Sequence, residues 1–370
     1  MKEKKKNSTV KMRLTCAIIF IMFSYSYLDC YQGRVLAVAQ HVFSGGMTKY
    51  SYTLAPLLIT LVLFLLHIGV CAVTRVKRRF YGLTYFPSML ILTIITDIPN
   101  DVDQHHSLSA WYWLAPLLLI LYACVMWVIM QMEPYEPELH KNRWLSRYTW
   151  QCLLQLLVMM LLTVLVASND RKFHQRMQME SLMMDGKYNE ALNVGKKSLD
   201  TDSSLTMLRI ACMYKVGNMG NNLFTYPLVG GSKAMLPDGI TTKAMMWKVP
   251  KWMSVPSQWM RERKLQYAVP TDYKLCGLLL DKKLDQFVRE VQLYYDVTKT
   301  SLPRHYAEAL MLYTHRRTNP CLVYHNSVME ADFQDYQALE HKFVKPQEKQ
   351  TALHDTYGNT YWYYYQFGNK

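Results

Sequence analysis

The chain has 370 residues, 51% of them hydrophobic, with 42 Lys and Arg against 28 Asp and Glu and a formal net charge of +14. That is too long for a disulfide-stapled miniprotein and too apolar for a disordered polyelectrolyte. The apolar residues crowd into five stretches within the first 167 positions, a pattern that excludes an ordinary water-soluble domain there.

The stretches are 14–30, 54–73, 80–97, 111–131 and 149–167. About 20 apolar residues of helix cross a bilayer core of roughly 30 Å. Residues 54–73, LAPLLITLVLFLLHIGVCAV, hold no charge, and 111–131 and 149–167 are nearly as apolar. The stretch at 80–97 is short and contains Pro87, and the one at 14–30 is short and rich in Ser and Tyr. The basic start followed by an apolar run has the form of a signal peptide. No small-residue cleavage site follows, and Asp29 before Cys30 argues against a lipoprotein box, so an uncleaved anchor is predicted.

Basic residues fill every second gap. Lys2, Lys4, Lys5, Lys6, Lys11 and Arg13 precede the first stretch; Arg75, Lys77, Arg78 and Arg79 follow the second; Lys141, Arg143 and Arg147 follow the fourth. Lys and Arg mark cytoplasmic loops. The alternation therefore predicts a multi-pass membrane protein with a cytoplasmic N-terminus and residues 168–370 on the far side. Residues 168–370 carry 27 Lys and Arg against 20 Asp and Glu without a basic run. The excess charge thus meets membrane lipid, and no nucleic-acid partner is predicted.

Beyond residue 167 the apolar period is helical. Phe173, Met177, Met179 and Leu182–Met184 form one stripe, Gly186 breaks it, and Tyr188, Ala191, Leu192 and Leu199 form the next. Leu205, Leu208, Ala211 and Tyr214 follow and end at Gly217, 31 residues after Gly186. Gly186, Tyr188, Ala191, Leu199 and Gly217 are the packing positions expected of tetratricopeptide-like hairpins. A further pair is predicted at 271–280 and 284–297, broken at Asp281. Residues 226–258 hold four Pro, three Gly and Trp247 and Trp252, and read as a long ordered loop. Pro303 opens another helix, Phe333 to Phe343 marks one more, and seven aromatics between Tyr357 and Phe367 suit a core-capping helix. The fold class is all-α: a polytopic membrane domain (1–167), then an exported helical domain (168–370).

Chemistry is sparse. Asp97, Asp101, Asp103, His105 and His106 gather oxygen and nitrogen ligand types in one short outer loop. Adjacent His residues on a loop rarely face one ion, so a solvated polar loop is the preferred reading, and no metal or other cofactor is assigned. Cys212, Cys276 and Cys321 are neither a disulfide framework nor a metal motif, and their pairing is left open. No GxSxG, HExxH or P-loop occurs, so no catalytic residue is assigned. His67 is the one ionisable side chain well inside a strong stretch.

The Gly186–Ala191 hairpin, the break at Gly217, the Leu302–Leu310 segment and the Tyr357–Tyr365 tail resemble an uncharacterised family of polytopic Bacteroidota membrane proteins with a helical, tetratricopeptide-like half. The resemblance implies the same two-part architecture, with a bacterial inner membrane as the membrane and the periplasm as the far side, and adds no site residue. The expected function is a membrane-anchored interaction or assembly protein of the cell envelope, with a protein or peptide partner bound by the exported domain. The alternative is a membrane enzyme or transporter acting on a lipid or envelope glycan.

Overall fold

The computed structural model describes residues 2–74, 76, 78–99, 110–132, 147–167, 169–196, 198, 200–237, 253, 269–297 and 302–368, with backbone only for 2–9, 78 and 147. Every regular element among the described residues is helical, and the chain divides into two units, 1–174 and 175–370. Arg75, Lys77, Asp101, Asp103, His105, His106, Leu199 and most of the 226–258 loop lie outside the described residues, as does the side chain of Arg78.

The first unit begins with α1 (Lys2–Ser26), which runs through a π-helical turn, Tyr27–Tyr31, into α2 (Gly33–Phe43). Then follow α3 (Leu54–Thr74), a 3-10 segment (Arg78–Tyr85) leading into α4 (Phe86–Thr96), α5 (Trp111–Met132) and α6 (Arg147–Val166). Among the described residues four helical stretches are long and apolar enough to cross a membrane: Val10–Tyr31, Leu54–Thr74, Trp111–Gln131 and Tyr148–Val166. Their outward faces carry Leu57, Leu61, Val62, Trp113, Ile120, Leu154 and Leu161 exposed. So large a continuous apolar surface requires lipid rather than water, and the chain is membrane-associated.

The third apolar stretch departs from the expected single helix over 80–97. Pro87 stands in the first turn of α4; it has no N–H to extend the preceding turns and its fixed φ suits a fresh helix start. Upstream the backbone takes the tighter 3-10 winding. Gly82 lies against α6 so closely that a Cβ there would stand 2.7 Å from the Cys152 carbonyl oxygen. The composite still runs the length of its neighbours. The Arg79 carbonyl accepts from Cys152 Sγ (3.7 Å) and Gln155 Nε2 (3.5 Å), while Thr93 Oγ1 donates to Thr163 Oγ1 (3.0 Å), so it parallels α6. Tyr81 meets His67 (3.1 Å) and Ser88 Oγ donates to the Leu63 carbonyl (2.8 Å), so it runs antiparallel to α3. Trp111 Nε1 then donates to Asp97 (2.7 Å), setting the start of α5 beside its end. With a rise of about 2.0 Å per residue in 3-10 and 1.5 Å in α geometry, the eight and eleven residues cover roughly 32 Å when laid end to end.

The second unit takes over within α7 (Arg171–Met184) and continues through α8 (Tyr188–Asn193), α9 (Ser203–Val216), α10 (Met219–Asn222), α11 (Thr271–Leu280), α12 (Leu284–Tyr294), α13 (Arg304–Arg316), α14 (Ser327–Lys342), α15 (Pro346–Tyr357) and α16 (Tyr361–Phe367). Three helices end the same way. At α7, α9 and α11 a residue with positive φ (Gly186 +74°, Gly217 +75°, Lys282 +59°) closes paired backbone hydrogen bonds onto the last turn. These bonds satisfy carbonyls the helix itself leaves open. Asp202 caps the other end of α9, its side chain accepting from Leu205 N at 2.8 Å.

One core unites this unit. Leu208, Leu275, Phe287, Tyr306, Leu310 and Tyr361 are all fully buried, and each such apolar side chain contributes about 1.5–3 kcal/mol relative to exposure. Phe287→Ala is the sort of single change that breaks it, at about 3–5 kcal/mol. Met253, from the sequence-predicted long loop, also enters this core. The aromatic tail behaves as a cap: Tyr361, Trp362 and Tyr364 are buried on α16. In the region whose sequence suggested tetratricopeptide-like hairpins, α8 has only six residues and α10 only four.

Candidate functional site

Two elements without long helical runs form the walls of a cleft in the second unit. One wall is the strip 224–228 after α10, a short 3-10 turn that becomes extended at Tyr226; the other is the turn from α15 into α16. Gly358 ends α15, and Thr360 caps α16 by accepting from Tyr363 N at 3.3 Å. The cleft between them encloses about 470 Å³. Tyr226, Tyr363 and Tyr364 present aromatic surface to it, with Lys196, Asp355 and Asn359 at the exposed edges.

The strip is fixed from below. Arg209 is fully buried under it, donating to Thr201 Oγ1 (3.0 Å) and to the Pro227 carbonyl (3.4 Å), with its guanidinium 5.5 Å from the Tyr226 ring centre. Burial lowers the Arg209 pKa from its ordinary value and raises that of Tyr226. A guanidinium stays charged even so, and the ring face it meets supplies part of the compensation. Phe224 is clamped by His305, Tyr361 and Tyr364, with ring centres 4.9, 5.4 and 4.7 Å away.

The opposite wall is fixed by a buried carboxylate. Glu308 Oε2 accepts from His305 Nδ1 (2.8 Å) and from the Tyr361 backbone N–H (2.7 Å); Oε1 accepts from Arg304 Nε (2.8 Å). Its backbone carbonyl accepts from Trp362 Nε1 (2.8 Å). His305 Nε2 in turn accepts from the Phe224 N–H (3.5 Å), which fixes the tautomer with hydrogen on Nδ1. One acidic side chain therefore holds the start of α16 and, through His305, the start of the opposite strip. At the far end of α16, Lys282 Nζ donates to the Gly368 carbonyl (2.8 Å) and Tyr364 Oη donates to the Leu280 carbonyl (2.9 Å). Burial pushes the Tyr364 hydroxyl up to about 12.

The cleft offers shape and aromatic faces rather than reactive pairs. Its histidine, His354, is exposed, 3.8 Å from Asp355 and edge-on to Tyr363 at 5.5 Å. Among the described residues no group of three His, Cys, Asp or Glu is placed to hold a metal ion. Sequence reasoning named none of these cleft residues as a site. Gly186 and Gly217 end helices, and Tyr188 and Ala191 lie on α8; these four do not converge on the cleft. None of the eight cysteines is in a disulfide; Cys212 and Cys276 are buried and Cys321 is exposed. In the first unit His67 is buried, stacked on Tyr85 at 3.5 Å and bonded to Tyr81 at 3.1 Å.

Residues 260–368 match a family of unknown function, DUF6057. The match covers α11 to α16, and with them the Glu308 hub and one wall of the cleft, but not strip 224–228. No curated protein and no solved structure matches the chain.

Proposed function

We propose that this is a membrane-anchored interaction or assembly protein of a bacterial cell envelope. It holds an extended peptide segment of a partner protein in the aromatic cleft of a periplasmic helical unit. The carrying observation is the 470 Å³ cleft with three tyrosine faces between two fixed walls. Rigid aromatic surface gives contact area at low entropic cost, and walls held by buried hydrogen bonds need little ordering on binding. Paired helices such as α11 and α12 are the units from which tetratricopeptide-like peptide-binding stacks are built.

The orientation rests on the basic gaps and on the third stretch. Its composite of 3-10 and α turns approaches the thickness of a bilayer core and begins at the end of the unit where Arg79 lies. Five crossings from a cytoplasmic N-terminus leave residue 168 in the periplasm of an inner-membrane protein. Enzyme reporters fused at residue 170 and at the C-terminus should both report periplasm, and a cytoplasmic signal from either refutes this topology.

For the cleft, a photo-crosslinking amino acid replacing Tyr363 in cells should give one discrete adduct identifiable by mass spectrometry. The same group at exposed Val328 should not give it, and Tyr226→Ala should abolish it. An adduct equally strong at both positions, or none at Tyr363, removes the basis of the peptide reading.

A further inference from the structure

Between α1 and α3 lies an open groove of about 330 Å³. Its walls are Leu14 and Ala17 from α1 and Phe64 and Ile68 from α3; His67 and Tyr81 form its floor. Both floor side chains are buried and bonded to one another, so the floor is rigid and its polar atoms are engaged. The volume equals that of about ten water molecules, far more than an ordinary packing gap. Because α1 and α3 are both long and apolar enough to cross a membrane, acyl chains are what this groove would meet along its apolar length. From Cys71 to Phe64 it extends about 10 Å at 1.5 Å per residue.

One end is different. Arg13 stands at the mouth, its guanidinium 5.1 Å from the Tyr81 ring centre. Among the described side chains it has no carboxylate partner, and the acids of this unit whose side chains are described, Asp29, Asp97 and Asp170, lie at the opposite end of the helices. Arg13 immediately precedes the apolar run of α1, which puts it at headgroup depth. A guanidinium offers parallel donors to two oxygens of a phosphate. Stacking on Tyr81 holds that fork in place, and the apolar groove continues directly below it.

We propose that this groove binds one anionic phospholipid, its phosphate on Arg13 and one acyl chain along Leu14, Ala17, Phe64 and Ile68. The occupant is a lipid because the phosphate-binding donor and the acyl-sized channel are continuous. It is anionic because the mouth holds a cation with no counter-charge among the described side chains.

The test uses the full chain in detergent, incubated with phosphatidylglycerol or phosphatidylcholine of identical acyl chains and released for native mass spectrometry. One phosphatidylglycerol should stay bound, with at least a tenfold preference over phosphatidylcholine. Arg13→Gln, an exposed position whose change spares the core, should cut that preference below twofold. Ala17→Phe fills the channel without altering charge and should reduce retention of both lipids. The water-soluble headgroup glycerophosphoglycerol should not compete at millimolar concentration. The proposal is overturned by equal retention of the two lipids on the unaltered chain. It is also overturned by an unchanged preference in Arg13→Gln, by full retention in Ala17→Phe, or by effective competition from the soluble headgroup.

Discussion

Glu308 should be the most sensitive single position outside the apolar core. It is 1% exposed and serves three donors, two of which, His305 Nδ1 and the Tyr361 N–H, are buried with it. Glu308→Ala strands both. Each buried donor left without an acceptor costs about 1–3 kcal/mol, so the two together cost roughly 3–5 kcal/mol, the lower end applying if water enters the vacated space. At about 2–4 °C per kcal/mol for a unit near 200 residues, the apparent midpoint of the second unit should fall by roughly 6–20 °C. Glu308→Gln keeps the shape. Its amide oxygen can still serve His305 and Tyr361, while its NH2 meets Arg304, whose side chain is 45% exposed and free to turn to water. That variant should lose only about 1–2 kcal/mol. Thermal unfolding of the full chain in detergent gives the midpoints, and hydrogen exchange over 361–367 gives the local effect. The reasoning fails if Glu308→Ala unfolds within about 0.5 kcal/mol of the unaltered chain, or if exchange at α16 is unchanged.

Three further outcomes are expected. Burial pushes the Cys212 and Cys276 thiols up from 9.0 to about 12. Between those values the unfolded chain has shed protons that the folded chain keeps, so stability contributed by these thiols is whole below pH 9, falls as pH rises and is gone above 12. An alkaline unfolding series should show this, and at neutral pH a thiol reagent should label Cys321 in the folded second unit but neither buried cysteine. Gly82→Val should force the 3-10 segment off α6, since even a Cβ would stand 2.7 Å from two α6 atoms; a loss of several degrees in the first unit's unfolding is expected, and an unchanged midpoint contradicts the close packing. Lys282→Gly relieves a left-handed backbone that costs a non-glycine residue about 1 kcal/mol but removes the tie to Gly368. Stability should move by less than about 1 kcal/mol while exchange at 366–368 accelerates; equal protection there shows that the tie does not hold the cleft wall.

The membrane half was legible where one physical signal dominated. Four of the five apolar stretches coincide with helices long enough to cross a bilayer, because hydrocarbon solvent demands uniform apolarity and internally satisfied backbone. The third stretch was legible in its extent but not its form. Pro87 was visible as a break, yet the 3-10 winding before it is set by how closely Gly82 packs on α6, a tertiary fact. Helix α2 went unseen because eleven residues cannot span a bilayer and its neighbours invite no periodic reading. In the second unit the helix ends at Gly186, Gly217 and Asp281 could be read directly, since each marks a left-handed cap or a turn beside one.

The cleft could not have been read in this way, and the reason lies in where its parts come from. Its walls join residues 224–228 to 354–368, and the group that aligns them, Glu308, sits in a segment whose spacing looks like any amphipathic helix. Local periodicity reports which face of a helix is buried; it does not report which buried acid will meet the N–H of Tyr361, 53 residues away. One trace was nevertheless present. A glutamate flanked by Tyr306, Ala307, Ala309 and Leu310, all buried, interrupts an apolar face where a charge is costly unless it is paired and hydrogen-bonded. Such an acid predicts donors supplied by some distant element before that element is known. Here the donors arrive with the aromatic tail, so the same charge that would destabilise an unpartnered helix specifies where α16 docks and sets one wall of the cleft.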